Sequence, residues 1–437
     1  MNSIKRKIPD FIKTPYQFLR SSFAAIRYGF PAKKMIVVGI TGTKGKTSTA
    51  NFVWSVLHAG GYKTGLISTA IFRFGSNEEL NPYHMTMPNP FVIQKTLKKM
   101  KEQHIEIVVI EMTSEGMKQY RHLGIPIDIA IFTNLSPEHL PSHKNNFELY
   151  KKAKSKLFTS FGKKQKLLRG TPIPRTIIAN KDNEHSEYYL QFSADKKITY
   201  GIQDGDVRAT DILNEKTGVS FTAMNDKFRI SIFGAFNVYN ALPALIAGTV
   251  LNIPIANIKK GLISLAVIPG RMEEINEGQN FTLFVDYAHE PVSINAVLTA
   301  SEEIKKEGSK IIIVFGAEGG GRDTKKRMPM AQLCAQKADY VIVTDVDSYD
   351  DDPQKIIDDV SMVVELSGKI RNKNLFAILN RKEAIEKALS LALPGDIVLI
   401  TGKGAEQTMI TNHGAIPWNE REIVRTLLKD KLNNQPK

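Results

Sequence analysis

The sequence predicts two consecutive α/β domains with mostly parallel sheets, and three observations carry that expectation. From Met35 the chain reads as a buried strand (MIVVGI), a glycine loop (TGTKGKTS) and a helix ended by glycines (TANFVWSVLHAGGY). Two more apolar strands, HIEIVVIEM and IDIAIFTNL, each run into a polar loop, as in a sheet with crossover helices. After a Pro-Gly turn at VIPGRMEE come four further buried strands, FTLFVDYA, KIIIVFGA, ADYVIVTD and DIVLITGK, separated by helical segments. Between these blocks, residues 171–232 are rich in strands and turns, and GAFNVYNALPALIAGTV returns to helix. The expected domains are a basic amphipathic segment over 1–34, a central domain over 35–268 and a C-terminal domain over 269–437.

Composition bounds the function classes. The 437 residues are 42% hydrophobic and 24% charged, which is globular rather than disordered. Cys334 is the sole cysteine, so an internal disulfide framework and a cysteine zinc cluster are excluded, which fits a cytoplasmic protein. No apolar run reaches membrane-spanning length and no cleavable signal is visible. The net charge is +14, and half of the excess falls in residues 1–34, where eight cations face only Asp10. The body is therefore only mildly basic, and it lacks the basic patches with interleaved aromatics of a nucleic-acid surface. No nucleic-acid partner is expected.

Within that basic segment Ile12, Tyr16, Leu19, Phe23 and Ile26 recur at spacings of four and three, and Lys13, Arg20 and Arg27 each follow a stripe residue by one. One reading is a peripheral contact with an anionic membrane through residues 8–30. The favoured reading is a helix that packs on the body with its cations in water.

The strongest chemical signal is Gly42-Thr43-Lys44-Gly45-Lys46-Thr47-Ser48. Glycines let successive backbone N–H groups face a phosphate, and the following helix adds its positive end. Lys46 is expected on the β and γ phosphates of a nucleotide, and the Thr47 hydroxyl on Mg²⁺. The usual pattern has glycine at position 40, where this chain has Ile40. Glu111 closes one buried strand, followed by Met112-Thr113-Ser114-Glu115. His139 sits in the loop after another. Ligands gather at the carboxyl ends of parallel strands, so both residues fall on the edge that carries the phosphate loop.

The motifs TGTKGKTS, EMTSEG, FTNLSPEHL, YKKAKSKLF, GAFNVYN, PGRME, VDYAHEP, VFGAEGGGRDTKKRMPM and GKGAE, in that order, resemble the Mur ligases, most closely the MurE type, the UDP-N-acetylmuramoyl-tripeptide synthetases. The likeness runs from about residue 35 to the end. It implies an ATPase domain followed by a Rossmann-like α/β domain. It also implies an ATP-dependent ligase that activates a carboxylate as an acyl phosphate and joins it to an amino acid. ATP and Mg²⁺ would be held by the phosphate loop, with Thr47, Glu111 and His139 at the metal. Lys154 matches a lysine carbamylated in these enzymes, although by pattern alone it reads as a solvated surface residue. Asn237 and Asn240 match adenine contacts, and Arg271, Asp286 and His289 match positions that close over the nucleotide. Thr113, Ser114, Asp347, Tyr349, Lys403 and Glu406 match the substrate side, which implies a peptide-bearing cell-wall precursor, UDP-linked in the family, and an amino acid.

Four departures stand beside the likeness. Residues 1–34 are too short for the family's UDP-sugar domain. The amino-acid signature written DNPR in diaminopimelate-adding enzymes reads Asp347-Ser348-Tyr349 here, and a tyrosine cannot clamp a distal carboxylate as arginine does. The GKGHE motif reads Gly402-Lys403-Gly404-Ala405-Glu406, and Glu115 stands where many relatives have histidine. The cluster Asp345, Asp347, Asp350, Asp351 and Asp352 is expected to cap the next helix, with recognition of a cationic amino acid as the second reading. The competing functions are a folylpolyglutamate or cyanophycin synthetase-like ligase, and a nucleotide-binding scaffold without ligase activity.

Overall fold

The computed structural model describes residues 10–83, 85–138, 140–215, 217–321 and 324–433, and it divides the chain into two compact units. The first comprises Met1–Ile212, Ser220–Ser231 and Asn237–Leu265; the second comprises Leu213–Val219, Ile232–Phe236 and Ala266–Lys437.

The first unit opens with helix α1 (Asp10–Arg27). Strands β1 (Ile36–Thr41), β2 (Thr64–Ile67), β3 (Ile71–Phe74), β4 (Asn77–Leu80), β5 (Ile107–Glu111) and β6 (Ile129–Phe132) follow. A short hairpin, β7 (Leu167–Leu168) and β8 (Thr171–Pro172), precedes β9 (Thr176–Asn180), β10 (Lys196–Gly201) and β11 (Val207–Arg208). The helices of this unit are α2 (Lys46–Ala59), α3 (Pro90–Glu102), α4 (Ser114–Lys118), α5 (Phe147–Ser155), α6 (Ser186–Leu190), α7 (Asn237–Val250) and α8 (Ile255–Ser264).

The nine-stranded sheet runs β11-β10-β9-β6-β1-β5-β2-β3-β4. It is parallel from β11 to β2 and antiparallel at β2–β3 and β3–β4. β1, β5 and β6 are buried along their whole length, as their unbroken Ile and Val runs require of strands covered on both faces. β1 lies between β5 and β6, so the loops leaving all three converge at one carboxyl edge. That edge is the crevice such sheets use for ligands.

Ile40, the departure from the phosphate-loop pattern, is a buried strand residue paired with Glu111 and Ile131. The missing glycine therefore falls in the strand, and the loop begins only at Gly42.

The N-terminal helix bears out the favoured reading, packing on the body with Arg20 and Arg27 in water, but its docking face is not the apolar stripe. It docks through Ser21, Ala24 and Ala25, which are buried. The stripe of large apolar residues points the other way. Small residues let the helix approach closely, and they turn the opposite face to solvent.

A separate sheet of β12 (Thr210–Glu215), β13 (Gly218–Ala223) and β14 (Asp226–Ile230) occupies the stretch expected to be strand-rich, and the boundary between the units runs through it. In the second unit β15 (Glu273–Glu274), β16 (Thr282–Asp286), β17 (Ile311–Phe315), β18 (Tyr340–Val343), β19 (Leu375–Ala377) and β20 (Ile397–Thr401) form a sheet ordered β15-β16-β20-β17-β18-β19. All its pairs are parallel except β15–β16. The four expected strands are β16, β17, β18 and β20. A hairpin of β21 (Thr408–Thr411) and β22 (Gly414–Pro417) follows. Helices α9 (Pro291–Ile304), α10 (Arg327–Lys337), α11 (Pro353–Leu366), α12 (Arg381–Leu391) and α13 (Glu420–Asn433) complete it. Two apolar clusters, one containing Phe284, Leu298 and Ile313 and the other Val285, Ile312 and Leu428, cover the sheet's two faces.

Candidate active site

In the first unit the phosphate loop is shaped by its neighbours as much as by its own glycines. A Cβ at Gly42 would meet Thr133 Oγ1 at 1.9 Å, and one at Gly45, where φ is +79°, would meet Asn240 Oδ1 at 2.3 Å. Both positions therefore exclude side chains. Thr43 N donates to Asn134 O at 2.9 Å and Lys44 N to Asn134 Oδ1 at 2.8 Å, while Thr133 Oγ1 donates to Lys44 O at 2.7 Å. Ser136 N donates to Thr43 Oγ1 at 3.0 Å, and that hydroxyl also bonds the Tyr150 hydroxyl at 3.0 Å. The FTNLSPE loop thus clasps the phosphate loop, and the main-chain donors of Thr43 and Lys44 are engaged in the clasp. Gly45 is the residue before α2, and Lys46, Thr47 and Ser48 open that helix, whose positive end points at the loop.

Two lysines meet at one carbonyl. Lys46 Nζ donates to Gly42 O at 3.0 Å and to Thr43 O at 2.9 Å; Lys154 Nζ donates to the same Gly42 O at 2.6 Å. Lys154 lies on α5, fully enclosed, with its ammonium end 4.6 Å from the centre of the Tyr150 ring. The pattern-only reading of Lys154 as a solvated lysine is thereby corrected: the helix turns this residue into the loop. Burial, and then the charge of Lys46, hold the Lys154 amine well below the ordinary lysine range, with Glu138 pulling the other way. A neutral amine is the form that adds carbon dioxide.

Glu111, at the end of β5, is buried. Its Oε2 accepts from Thr47 Oγ1 at 3.1 Å and from Thr69 Oγ1 at 3.0 Å, and its Oε1 accepts from Thr69 N at 2.9 Å. Two hard oxygen donors 3.1 Å apart suit one magnesium ion, whose bonds near 2.1 Å set adjacent octahedral ligands about 3 Å apart. Among the described residues no group of three His, Cys, Asp or Glu side chains could hold a metal. His139 lies outside the described residues.

Asn237 and Asn240 stand at the start of α7. Asn240 Nδ2 donates to Asn237 Oδ1 at 2.8 Å, and Asn240 Oδ1 lies against Gly45. Thr113 caps α4, its hydroxyl accepting from Gly116 N at 3.1 Å. Ser114 Oγ bonds Nε2 of His143 at 3.0 Å. Burial, then Lys118 and Lys154, push the His143 imidazole down to about 4, so it is neutral near pH 7.

Sequence reasoning missed Thr69, Glu138, Tyr150 and His143. Glu138 pairs with Lys44 at 2.9 Å and was passed over for its neighbour His139. Thr69 was findable as a polar residue just beyond a buried strand on the same sheet edge.

In the second unit four of the expected residues, Arg271, Glu406, Lys403 and Asp347, are linked through Tyr287. The Arg271 guanidinium stacks 4.5 Å over the Tyr287 ring, and the Tyr287 hydroxyl donates to Glu406 at 3.1 Å. Lys403, fully buried, donates to Glu406 at 2.6 Å and to both oxygens of Asp347 at 3.0 Å. Burial alone would lower the Lys403 ammonium, but Glu406 and Asp347 outweigh it and hold it above the ordinary range. Asp286 accepts from Met272 N and Ala288 N, both at 2.7 Å, and His289 Nδ1 bonds Tyr287 O at 2.7 Å. Tyr287 was not singled out by sequence, although it sits inside the motif VDYAHEP.

Tyr349 takes a left-handed conformation (φ +53°) with its ring against Gly320, and its N–H donates to Ile410 O at 3.2 Å. Of the acidic cluster, Asp352 caps α11, Asp351 accepts from Gly320 N at 3.1 Å and Asp347 is held by Lys403.

Comparison with known proteins adds a family assignment to this geometry. Residues 40–248 match the family model described as Mur ligase middle domain, and residues 270–404 match Mur ligase, glutamate ligase domain. The chain is 34% identical over 438 residues to the UDP-N-acetylmuramoyl-L-alanyl-D-glutamate--2,6-diaminopimelate ligase of Bacillus cereus, covering 98% of this chain and 86% of that one. A solved ligase of the same name superposes with a TM-score of 0.62 at 25% identity, covering 95% of this chain and 83% of that one. The folylpolyglutamate synthase of Mycobacterium tuberculosis, solved with ADP, reaches 0.67 at 16% identity, covering 96% and 95%, and so shares the fold.

Proposed function

The chain belongs to the Mur ligase family and is an ATP-dependent amide ligase, and from that premise we propose that it adds an amino acid to a UDP-linked, peptide-bearing cell-wall precursor in the cytoplasm through an acyl phosphate. The observation that carries the proposal is the meeting of Lys46 and Lys154 on the Gly42 carbonyl, beside the Thr47–Glu111 hydrogen bond.

A carboxylate oxygen of the precursor attacks the γ-phosphorus, and the bond to the ADP oxygen breaks. The amino acid's amine then attacks the acyl carbon, the carbon–oxygen bond to phosphate breaks, and the amine's proton leaves with water. The first step brings two anions together, so its barrier is set by how well charge is neutralised. Lys46, released from the Gly42 and Thr43 carbonyls, would follow the γ-phosphate. The α2 N-terminus would hold the β-phosphate, and Asn237 and Asn240 would contact the base.

Thr47, Glu111, His139 and a carbamylated Lys154 would hold magnesium, which when bound neutralises phosphate charge. Burial and the neighbouring Lys46 lower the Lys154 pKa well below the ordinary lysine value, and carbamylation would convert this amine into an anion beside Lys46. In the second unit Lys403, Asp347, Glu406, Arg271, Asp286 and His289 would serve the incoming amino acid and the nucleotide. Thr113 and Ser114 would face the precursor.

The test is ADP release across a panel of amino acids with UDP-linked muropeptide acceptors. Release that requires both an acceptor and an amino acid is expected. ADP release indifferent to every acceptor would overturn the proposed substrates. The curated relative's name favours this reading over the folylpolyglutamate and scaffold alternatives.

A further inference from the structure

Helix α1 presents to solvent the face that its sequence pattern marks for burial. Tyr16, Leu19, Phe23 and Ile26 are 61%, 65%, 59% and 63% exposed, whereas Ser21, Ala24 and Ala25 form the buried seam. At about 100° per residue the apolar stripe is centred roughly 180° from that seam. The buried seam and the centre of the apolar stripe therefore lie on opposite faces of the helix. Small residues dock it on the body, assisted by ring contacts of Phe18 with Tyr120 at 5.5 Å and of Phe23 with Phe91 at 6.0 Å. Tyr16, Leu19 and Ile26 are left outward, with Phe23 half turned to the body at their edge, as an apolar strip of the kind soluble surfaces rarely show without a partner.

The charges beside the strip say which partner. Lys13, Arg20 and Arg27 are spaced seven apart, so they line one border of the strip along its whole length. Lys33 and Lys34 are exposed just beyond the helix, and no acid occurs between Lys13 and Lys34. An apolar strip flanked by a single-sign basic row fits a surface that is apolar beneath an anionic layer. The helix, about 27 Å long, is not apolar enough to cross a membrane, so it would lie in the interface.

We propose that α1 is an in-plane anchor that holds this ligase on an anionic lipid bilayer, with Tyr16, Leu19 and Ile26 entering the acyl boundary and Lys13, Arg20 and Arg27 at the headgroups. The docking seam fixes the helix to the catalytic unit, so the sheet is carried to the membrane surface without a spanning segment. This assignment stands independently of which precursor and amino acid the enzyme joins.

Co-sedimentation of the full chain with phosphatidylglycerol vesicles, compared with phosphatidylcholine vesicles, tests it. Binding to the anionic vesicles alone, weakening as salt rises, is expected. The pair Leu19→Glu with Ile26→Glu, both outside the docking seam, should reduce the bound fraction more than tenfold. The pair Arg20→Glu with Arg27→Glu should reduce it by a comparable factor, since each basic residue near such a surface contributes roughly fivefold. Unchanged melting temperature and amino-acid-dependent ADP release in both variants would show that the fold is intact. Sedimentation that is equal for wild type and variants, or absent with anionic vesicles at low salt, would overturn the proposal. A wild-type dimer dissolved by the Leu19 and Ile26 substitutions would also overturn it, assigning the strip to a second copy.

Discussion

Lys46 and Lys154, 108 positions apart in the chain, donate to the same oxygen, the Gly42 carbonyl, at 3.0 and 2.6 Å. Two cations on one acceptor in a buried site is a costly arrangement, and it is relieved when one of them is neutral. Burial, and then the charge of Lys46, lower the Lys154 pKa well below the ordinary lysine value.

Lys154→Met should lower amino-acid-dependent ADP release by on the order of 100-fold, with partial recovery of Lys154→Ala by formate or acetate. The same substitution should leave the melting temperature unchanged or higher near pH 7. The sign follows from linkage: with its folded pKa depressed, this lysine binds fewer protons folded than unfolded, so it costs stability at neutral pH. That cost disappears as pH rises from the folded pKa to the ordinary lysine value. Calorimetry of wild type and Lys154→Met across that window checks both the offset and its slope. A wild-type enzyme made no less active by the methionine substitution would refute the carbamate.

His143 and His122 are both buried and both pushed down to about 4, chiefly by burial. Each stays neutral in the folded protein while its unfolded counterpart takes up a proton near 6.5. Stability should therefore fall as pH drops from about 6.5 to 4, by on the order of 2–3 kcal/mol for each histidine. Urea midpoints measured over that range should show the loss. His122→Gln should flatten the profile, and His143→Gln should do so while also disturbing Ser114.

Gly45→Ala is expected to weaken ATP binding at least tenfold. The new Cβ would lie 2.3 Å from Asn240 Oδ1, and the left-handed backbone at +79° costs alanine about 1 kcal/mol more than glycine. Adding Asn240→Ala removes the clash but leaves the backbone cost, so nucleotide affinity measured by calorimetry should recover only in part.

Lys403→Met should destabilise the second unit by about 3–5 kcal/mol, because Asp347 and Glu406 would face each other without the shared cation. Asp347→Asn added to Lys403→Met should restore a portion of that loss. Denaturant unfolding of the two single variants and the double variant gives the coupling directly.

Much of this protein was legible in one dimension. Unbroken Ile and Val runs at β1, β5, β6, β17, β18 and β20 read as strands covered on both faces, and the glycine loop between a strand and a helix marks nucleotide binding. β15 and β19 were not legible. Two and three residues long, they carry no periodicity of their own and exist as the edges of a sheet formed by others. Periodicity also described α1 correctly as amphipathic, yet it could not say which face would dock. Small residues permit an approach that a stripe of large ones does not.

The sequence by itself determined the family, the order of the sheets, the place of the phosphate loop and the identity of Glu111 at its strand end, because local pattern and motif order are properties of the chain. Only the tertiary structure decided that Lys154 is buried beside Lys46, that Lys403 is the shared cation of Asp347 and Glu406, and that the apolar stripe of α1 faces outward. Those outcomes rest on desolvation and on charges brought together from distant parts of the chain. Neither has a value until the fold sets what surrounds each group.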